Sequence, residues 1–179
     1  AGATDATANR PVPVGRGGRG GRGLAPPKLS RGPDLGYAYQ LDPLPLPAGM
    51  EYAGHVSSVA IDSRGHIFVF HRSLPTTPEL VEFGPDQKFI RGFSYRAVRG
   101  HSILIDRQDN LWLTDQNGGT VTKMTRDGAV LTVIGTQGKQ GDWDEQAGSR
   151  LLWQPMSVAL AANGDIFISM GHGGESAAP

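Results

Sequence analysis

Three stretches of the sequence align with one another along the chain, and this repeat constrains the fold more than any other feature. They are residues 57–70, 101–114 and 156–169. Each begins with a short run rich in β-branched and other apolar residues and continues through a turn containing Gly, Asp or Asn. It ends in a run with apolar residues at alternate positions. The pattern predicts two antiparallel strands in each repeat, here called strands A and B.

Two more strand candidates, C and D, follow each of the first two repeats. They span residues 79–83 and 89–93 after the first repeat, and residues 121–125 and 130–134 after the second. A unit of four antiparallel strands that recurs about every 45 residues is typical of a β-propeller blade. We therefore predict an all-β partial β-propeller of about two and a half blades. The blades span about 53–97, 98–138 and 150–179, with an insertion around 138–149.

Such a set of blades is too small to close a ring, because propellers have about four to eight blades. The outer faces of the first and last blades are apolar and would lack neighbours, and the third blade would stop after strand B with an open edge. We expect the chain to be a piece of a longer, monomeric protein, and by itself to be inactive and prone to aggregation. A ring closed by identical copies is the alternative.

Residues 1–35 differ in composition from the rest of the chain. Residues 16–23 read Arg-Gly-Gly-Arg-Gly-Gly-Arg-Gly, and residues 1–32 carry six basic residues against one acidic residue. Such a segment cannot bury enough apolar surface to offset its chain entropy. We predict a disordered linker or tail here, followed by the propeller part at 36–179. An RNA-binding tail is the alternative, but three arginines without an interleaved aromatic residue favour the linker.

The composition excludes several classes of protein. The chain contains no Cys, which excludes a disulfide scaffold, a Cys-ligated zinc site and an iron–sulfur cluster. Lys plus Arg and Asp plus Glu number 17 each, which argues against nucleic acid as a partner. No apolar run is as long as the stretch of about 18 residues that is needed to span a bilayer. The first residue is Ala1 rather than Met, which fits a removed secretory signal or a fragment, and we expect an extracytoplasmic (periplasmic or secreted) protein.

Polar residues occur where strand A begins and where strand B ends. Antiparallel alternation places these two points on the same side of every blade, which we call the A-start face. The A strands of a propeller line its central tunnel, so side chains on this face can converge at the tunnel mouth and bind a peptide or small molecule. The candidates are His71, Arg72, His101, Asp115, Gln116 and His172.

Other conspicuous residues have structural explanations. Asp62 and Asp106 open the A–B turns, where an aspartate accepts hydrogen bonds from nearby backbone N–H groups. Trp112 lies within a strand and is expected in the core. His55 and His66 are expected to be turn residues.

Three segments resemble the peptidyl-α-hydroxyglycine α-amidating lyase family, which belongs to the six-bladed NHL-type propellers. Residues 59–72 are similar to the part of its first blade that ends in a His-Arg pair. Residues 100–115 are similar to its Pro-His-Gly-Leu-type segment, and residues 154–169 to the start of its third blade. The chain departs from the family at 170–172, where Met-Gly-His stands in place of a segment that ends in the Tyr base.

The resemblance implies a lyase that splits peptidyl-α-hydroxyglycine into a peptide amide and glyoxylate, with zinc as Lewis acid and a structural calcium ion. His101 matches the first of three zinc-binding histidines, and the other two would lie beyond the last residue of the chain. Arg72 matches the active-site arginine, and His172 stands where the general base is expected. Backbone carbonyls at Val59 and Ile103 match ligands of the calcium ion.

Three functions therefore remain open on the sequence. The first is a zinc-dependent carbon–nitrogen lyase, of which this chain is the N-terminal part. The second is a non-enzymatic NHL-type propeller that binds a peptide, a sugar or a protein on the A-start face. The third is an RNA-associated protein that acts through its Arg-Gly segment.

Overall fold

The computed structural model describes residues 44–52, 55–72 and 76–171, and within these ranges all regular structure is β-strand. The first blade consists of β1 (Val56–Ile61), β2 (Ile67–His71), β3 (Leu80–Phe83) and β4 (Phe89–Phe93). The second blade consists of β5 (Gly100–Ile105), β6 (Leu111–Asp115), β7 (Thr120–Met124) and β8 (Val130–Gly135). A short hairpin of β9 (Trp143–Asp144) and β10 (Ser149–Arg150) precedes a third sheet of β11 (Pro155–Leu160) and β12 (Ile166–Met170).

The predicted all-β blade architecture is confirmed. Strands in each four-stranded sheet are hydrogen-bonded in chain order, and each neighbouring pair is antiparallel. The insertion predicted at 138–149 contains the β9–β10 hairpin. The segment 1–35 and His172 lie outside the described residues. Among the residues that the structure describes, no helix is long and apolar enough to cross a membrane.

Side-chain alternation lets each strand B serve two interfaces. In β2, Phe70 belongs to the cluster shared with the second blade, whereas Val69 belongs to a cluster on the opposite side. In β6, Leu113 packs towards the first blade and Trp112 towards the third sheet, so Trp112 is a core residue as predicted. The interface between the first two blades is formed by Phe68, Phe70, Leu80, Ile103, Leu111, Leu113 and Met124.

The outward faces of the first and third sheets retain exposed apolar surface. Leu44, Leu46 and Tyr52 pack against the outward face of the first blade, and a cavity of about 510 Å³ lies between that segment and the blade. Val59, opposite Val69 on the first sheet, is 52% exposed, and Phe167 on the third sheet is 61% exposed. These exposed side chains fit the expected tendency to aggregate.

The turn aspartates have the structural role predicted for them. Asp62 accepts hydrogen bonds from the backbone N–H groups of Arg64 and His66 at 2.9 and 2.8 Å. Asp106 accepts equivalent bonds in the second blade, from the N–H groups of Gln108 and Asn110 at 2.9 Å each. Each carboxylate therefore fixes one A–B turn.

Asp106 also holds the side chains around it. Its Oδ2 accepts a hydrogen bond from Trp112 Nε1 at 3.1 Å and pairs with Lys123 Nζ at 3.0 Å. Burial raises the pKa of Asp106, but the hydrogen bonds from Asn110, Trp112 and Lys123 outweigh burial and lower that pKa from 3.8 to about 2. The ionised carboxylate therefore stabilises the folded chain.

We expect Asp106→Asn to lower the free energy of unfolding by about 2 kcal/mol at pH 7. The stabilisation from a depressed pKa is complete above the unfolded-state pKa of 3.8 and is lost as pH falls through the folded-state value of about 2. Because Asn resembles a neutral Asp, the two chains should converge in stability at the lowest pH. Urea unfolding followed by tryptophan fluorescence at several pH values measures this. An equal difference between the chains at pH 7 and pH 2 would contradict the assignment.

An ionic cluster around the buried Glu82 joins the first two blades at the A–B turn end, opposite the A-start face. Glu82 in β3 has a side chain only 1% exposed. It accepts hydrogen bonds from Arg91 Nε and His66 Nδ1, each at 2.7 Å. It also contacts Arg126 Nη2 from the C–D turn of the second blade, and Arg126 Nε lies 3.1 Å from Asp62 Oδ2. His66 is thus more than a turn residue, because it belongs to this inter-blade cluster.

Candidate functional site

A β-bulge marks the start of strand A in all three sheets. In the second blade Gly100 pairs with Asp115 and Ser102 pairs with Thr114, so His101 is the additional residue between two ladder pairs. The same register shift makes Ser57 the additional residue in β1 and Met156 the additional residue in β11. Bulges redirect side chains and are frequent beside functional sites. The bulge therefore accounts for how His101 leaves the regular alternation of its strand.

His101 is held against the neighbouring sheet through one ring nitrogen. Its Nδ1 lies 2.9 Å from the main-chain oxygen of Met156, the bulge residue of β11. A carbonyl oxygen only accepts, so Nδ1 carries the proton in this contact. In the neutral ring, the lone pair that can bind a metal ion is then on Nε2. This is the hydrogen-bond arrangement that metal-ligating histidines usually have.

His71 does not converge with His101. Its ring is fully buried, contacts the ring of Tyr52 edge-on at 5.5 Å, and donates from Nδ1 to the carbonyl of Arg72 at 3.0 Å. Tyr52 packs on the outward side of the first blade, whereas Phe70, the preceding residue, packs towards the second blade. Burial lowers the pKa of His71, more than the hydrogen bond to Arg72 raises it. His71 is therefore a neutral packing residue.

Several buried polar atoms at the A-start face have no hydrogen-bond partner within the described chain. They are Arg72 Nε, Arg99 Nε and Gln116 Oε1. Buried polar atoms are nearly always hydrogen-bonded, so a group of such atoms at one end of two adjacent blades indicates a place where polar ligand groups can bind. Arg72 and Arg99 bring two permanent positive charges to this end. Arg99 was not among the predicted residues, although its position just before strand A of the second blade could have indicated it.

Asp115 supports the loop that leads into strand A. Its carboxylate is fully buried and accepts hydrogen bonds from the N–H groups of Val98 and Arg99, each at 2.8 Å. It also accepts from the N–H of Gly118 at 2.9 Å. Asp115 lies on the A-start face, as predicted, but its carboxylate is already hydrogen-bonded to backbone N–H groups of the adjoining loops. Asp115 thus positions the chain that carries His101.

Val59 and Ile103 occupy equivalent positions on the innermost strands of the first two blades. Val59 pairs with Val69 and Ile103 with Leu113, and β1 and β5 each form an edge of their sheet. An edge strand has backbone carbonyls outside its ladder, which are oxygen ligands of the kind that calcium prefers. Among the described residues there is no cluster of three or more His, Cys, Asp or Glu side chains that could hold a metal ion. The calcium and zinc sites therefore stay predictions.

Gly100, the residue before His101, lies directly on the ring of Phe70. A Cβ atom at Gly100 would be 2.3 Å from Phe70 Cζ and 2.7 and 2.8 Å from its two Cε atoms. Real side chains do not approach so closely, so this contact requires glycine. The close packing of β5 on β2 thus fixes the point on the blade from which the His101 side chain projects.

Comparisons with known proteins agree with a repeat-built propeller. No family model matches the chain. Human NHL repeat-containing protein 3 is 30% identical over 145 residues, and the mouse protein of the same name is 29% identical over 147 residues. In both cases the match covers 76% of this chain and 40% of the relative, so the chain spans about 40% of the length of these curated relatives.

Solved structures with a similar chain trace include two lyases. The virginiamycin B lyase from Staphylococcus aureus has a TM-score of 0.47 and 12% identity, and the match covers 64% of this chain and 34% of that one. A streptogramin B lyase structure has a TM-score of 0.48 and 10% identity, with the same coverage. A protein of unknown function from Bacteroides caccae has a TM-score of 0.43 and 17% identity, covering 70% of this chain and 40% of that one.

The four-stranded antiparallel blades show that the chain has a β-propeller fold. Together with the two curated relatives, they support a propeller of the NHL type. The name of these relatives describes the repeat and does not identify the α-amidating lyase family. The narrower assignment to that family is therefore a proposal.

Proposed function

We infer that the chain contributes one zinc ligand, His101, and the arginine Arg72 to the catalytic face of a lyase that acts on peptidyl-α-hydroxyglycine. The observation that carries this proposal is the hydrogen bond from His101 Nδ1 to the main-chain oxygen of Met156 at 2.9 Å. It supports the tautomer in which Nε2 would coordinate the metal. When bound, zinc would supply Lewis-acid activation of the substrate hydroxyl.

The donor set fits zinc in part. A catalytic zinc ion takes three protein ligands and keeps one open position, and the described residues offer His101 from strand A of one blade. Two further ligands would come from outside the described residues. Arg72, whose Nε is buried without a partner in the described chain, would pair with the substrate carboxylate or with negative charge that develops during bond cleavage.

The proposal predicts the positions of the other two zinc-binding histidines. Since His101 is the additional residue of a bulge, each of the other two zinc ligands should also be the additional residue at the start of a strand A. Ser57 and Met156 occupy that position in the flanking sheets, so the ligands should alternate with non-ligating blades. A complete sequence without such histidines would remove the lyase proposal.

A non-enzymatic binding propeller is the second candidate. The departure that favours it is the Met-Gly-His segment at 170–172, where the lyase family has its Tyr base. The buried Nε atoms of Arg72 and Arg99 then serve to recognise an anionic group of a peptide, sugar or protein, and Gln116 Oε1 accepts a hydrogen bond from a donor group of the same ligand. This candidate needs no metal ion, and that difference makes it testable.

We expect His101→Ala in the complete protein that contains this chain to abolish bound zinc and lyase turnover. Metal analysis of the purified protein and release of glyoxylate from a peptidyl-α-hydroxyglycine measure the two effects. His55→Ala is the matched control, because His55 is an exposed histidine whose main-chain oxygen, which accepts from Arg72 N at 3.3 Å, is retained. Wild-type protein without zinc, or with zinc that His101→Ala retains, would refute the lyase role.

A further inference from the structure

We propose that Thr114 is a positioning residue for His101 and acts through the main-chain carbonyl of Met156. This inference deepens the proposed zinc role of His101 and rests on it for its functional meaning. The hydrogen-bond arrangement itself is a property of the chain. It joins the end of β6 in the second blade to the start of β11 in the third sheet.

The hydroxyl of Thr114 has a defined direction. Its Oγ1 accepts a hydrogen bond from the N–H of Ser102 at 2.9 Å, and it lies 3.2 Å from the oxygen of Met156. Because a carbonyl oxygen can only accept, the hydroxyl proton is directed to Met156. Thr114 is fully buried, so water does not compete for these contacts. The Ser102 hydroxyl lies 3.1 Å from the same Oγ1 and completes the local network.

Two donors therefore meet at one carbonyl oxygen, and they saturate its two lone pairs. His101 donates from Nδ1 at 2.9 Å and Thr114 donates from Oγ1 at 3.2 Å. Met156 is the bulge residue of β11, where regular ladder pairing is interrupted. With the hydroxyl in place, the carbonyl has a fixed direction, and the imidazole ring must align with it. Without the hydroxyl of Thr114, the His101 ring would be the remaining donor that orients the Met156 carbonyl at the bulge of β11.

The arrangement of the second blade is not repeated in the first. The residue at the same ladder position as Thr114 is Phe70 in the first blade and Ser169 in the third sheet. Phe70 has no hydroxyl group. The hydroxyl of Ser169 pairs with that of Ser157 at 2.8 Å, within its own sheet. The Thr114–Ser102 hydroxyl pair of the second blade is equivalent to this pair. Of the two blades that are followed by another described sheet, the one that carries the histidine therefore has a hydroxyl at this ladder position.

The first test is the tautomer of His101 in the 179-residue chain without added metal. Nitrogen chemical shifts of the ring at mildly alkaline pH should show the proton on Nδ1 in the wild-type chain. Thr114→Val keeps the shape and removes the hydroxyl, and it should give a mixture of the two tautomers. Thr114→Ser should restore the wild-type spectrum. A wild-type ring protonated on Nε2 would overturn the inference without any variant, even if Thr114→Val does not fold.

The second test is zinc affinity in the complete protein that contains this chain. Loss of a group that orients a metal ligand typically weakens metal binding about 10- to 100-fold, and we expect this for Thr114→Val but not for Thr114→Ser. Ser102→Ala is the control, because it removes a neighbouring hydroxyl and retains the N–H that bonds to Thr114. Unchanged zinc affinity in Thr114→Val would overturn the positioning role. A protein that binds no zinc but shows the expected tautomers would instead refute the proposed function and leave the Thr114 arrangement intact.

Discussion

Replacing Glu82 by Ala should destabilise the chain by about 3 kcal/mol, measured as the free energy of unfolding in urea or guanidinium chloride. The side chain of Glu82 is 1% exposed and bonds to two arginines and a histidine. Its removal would leave Arg91 with only the exposed Asp127 as a counter-charge, and Arg126 with only Asp62. Breaking a buried ion pair from one side costs about 3–5 kcal/mol. The lower end applies here because Arg126 keeps its contact with Asp62.

The effect should come from the link between blades rather than from loss of a surface charge. The Asp86–Lys88 pair in the C–D turn of the first blade is the matched control, since both side chains are largely exposed. Asp86→Asn removes one carboxylate from the same blade, and we expect an unchanged unfolding midpoint because exposed ion pairs contribute little. Glu82→Ala with wild-type stability would show that the ionic cluster does not hold the first two blades together.

Replacing Gly100 by Ala is the second substitution for which we expect a large effect. The new Cβ would lie 2.3 Å from Phe70 Cζ, so either the Phe70 ring or strand β5 must move. Phe70 is fully buried in the interface between blades and has no space to retreat. Overpacking of this kind costs about 1–3 kcal/mol, and we expect the upper end. Denaturant unfolding measures the loss.

A double-mutant cycle separates this clash from a general intolerance of alanine. Phe70→Leu removes the three ring atoms that the new Cβ would meet, so Gly100→Ala should cost less in the Phe70→Leu background than in the wild-type chain. We expect a favourable coupling of about 1 kcal/mol between the two substitutions. Additive effects would mean that β5 does not pack on Phe70 as described.

The blades could be predicted from the sequence because their determinants are local. Short apolar runs between turn residues define strands such as β2 and β6, and Asp62 and Asp106 mark the turns that each aspartate then stabilises. The position of His101 at the start of a strand A also follows from the repeat. These features depend on side-chain period and turn chemistry within one blade.

Features that arise between blades could not be predicted. Glu82 and Arg126 lie far apart in the sequence, and no periodic pattern relates a glutamate in one strand C to an arginine in the next C–D turn. The bulge at His101 could not be predicted either, because a repeat alignment shows equivalent residues but not where the register of the ladder shifts. His71 and Arg72 are adjacent in sequence, yet the histidine packs on Tyr52 on the outward side of its blade.

The recurring bulge has an evolutionary consequence. Ser57, His101 and Met156 each lie at the register shift between two ladder pairs. A serine, a histidine and a methionine occupy this position with the same register shift, so polar, ionisable and apolar side chains are all compatible with the same scaffold. One position per sheet can therefore vary, and new specificities can arise there, while the strands around it stay the same.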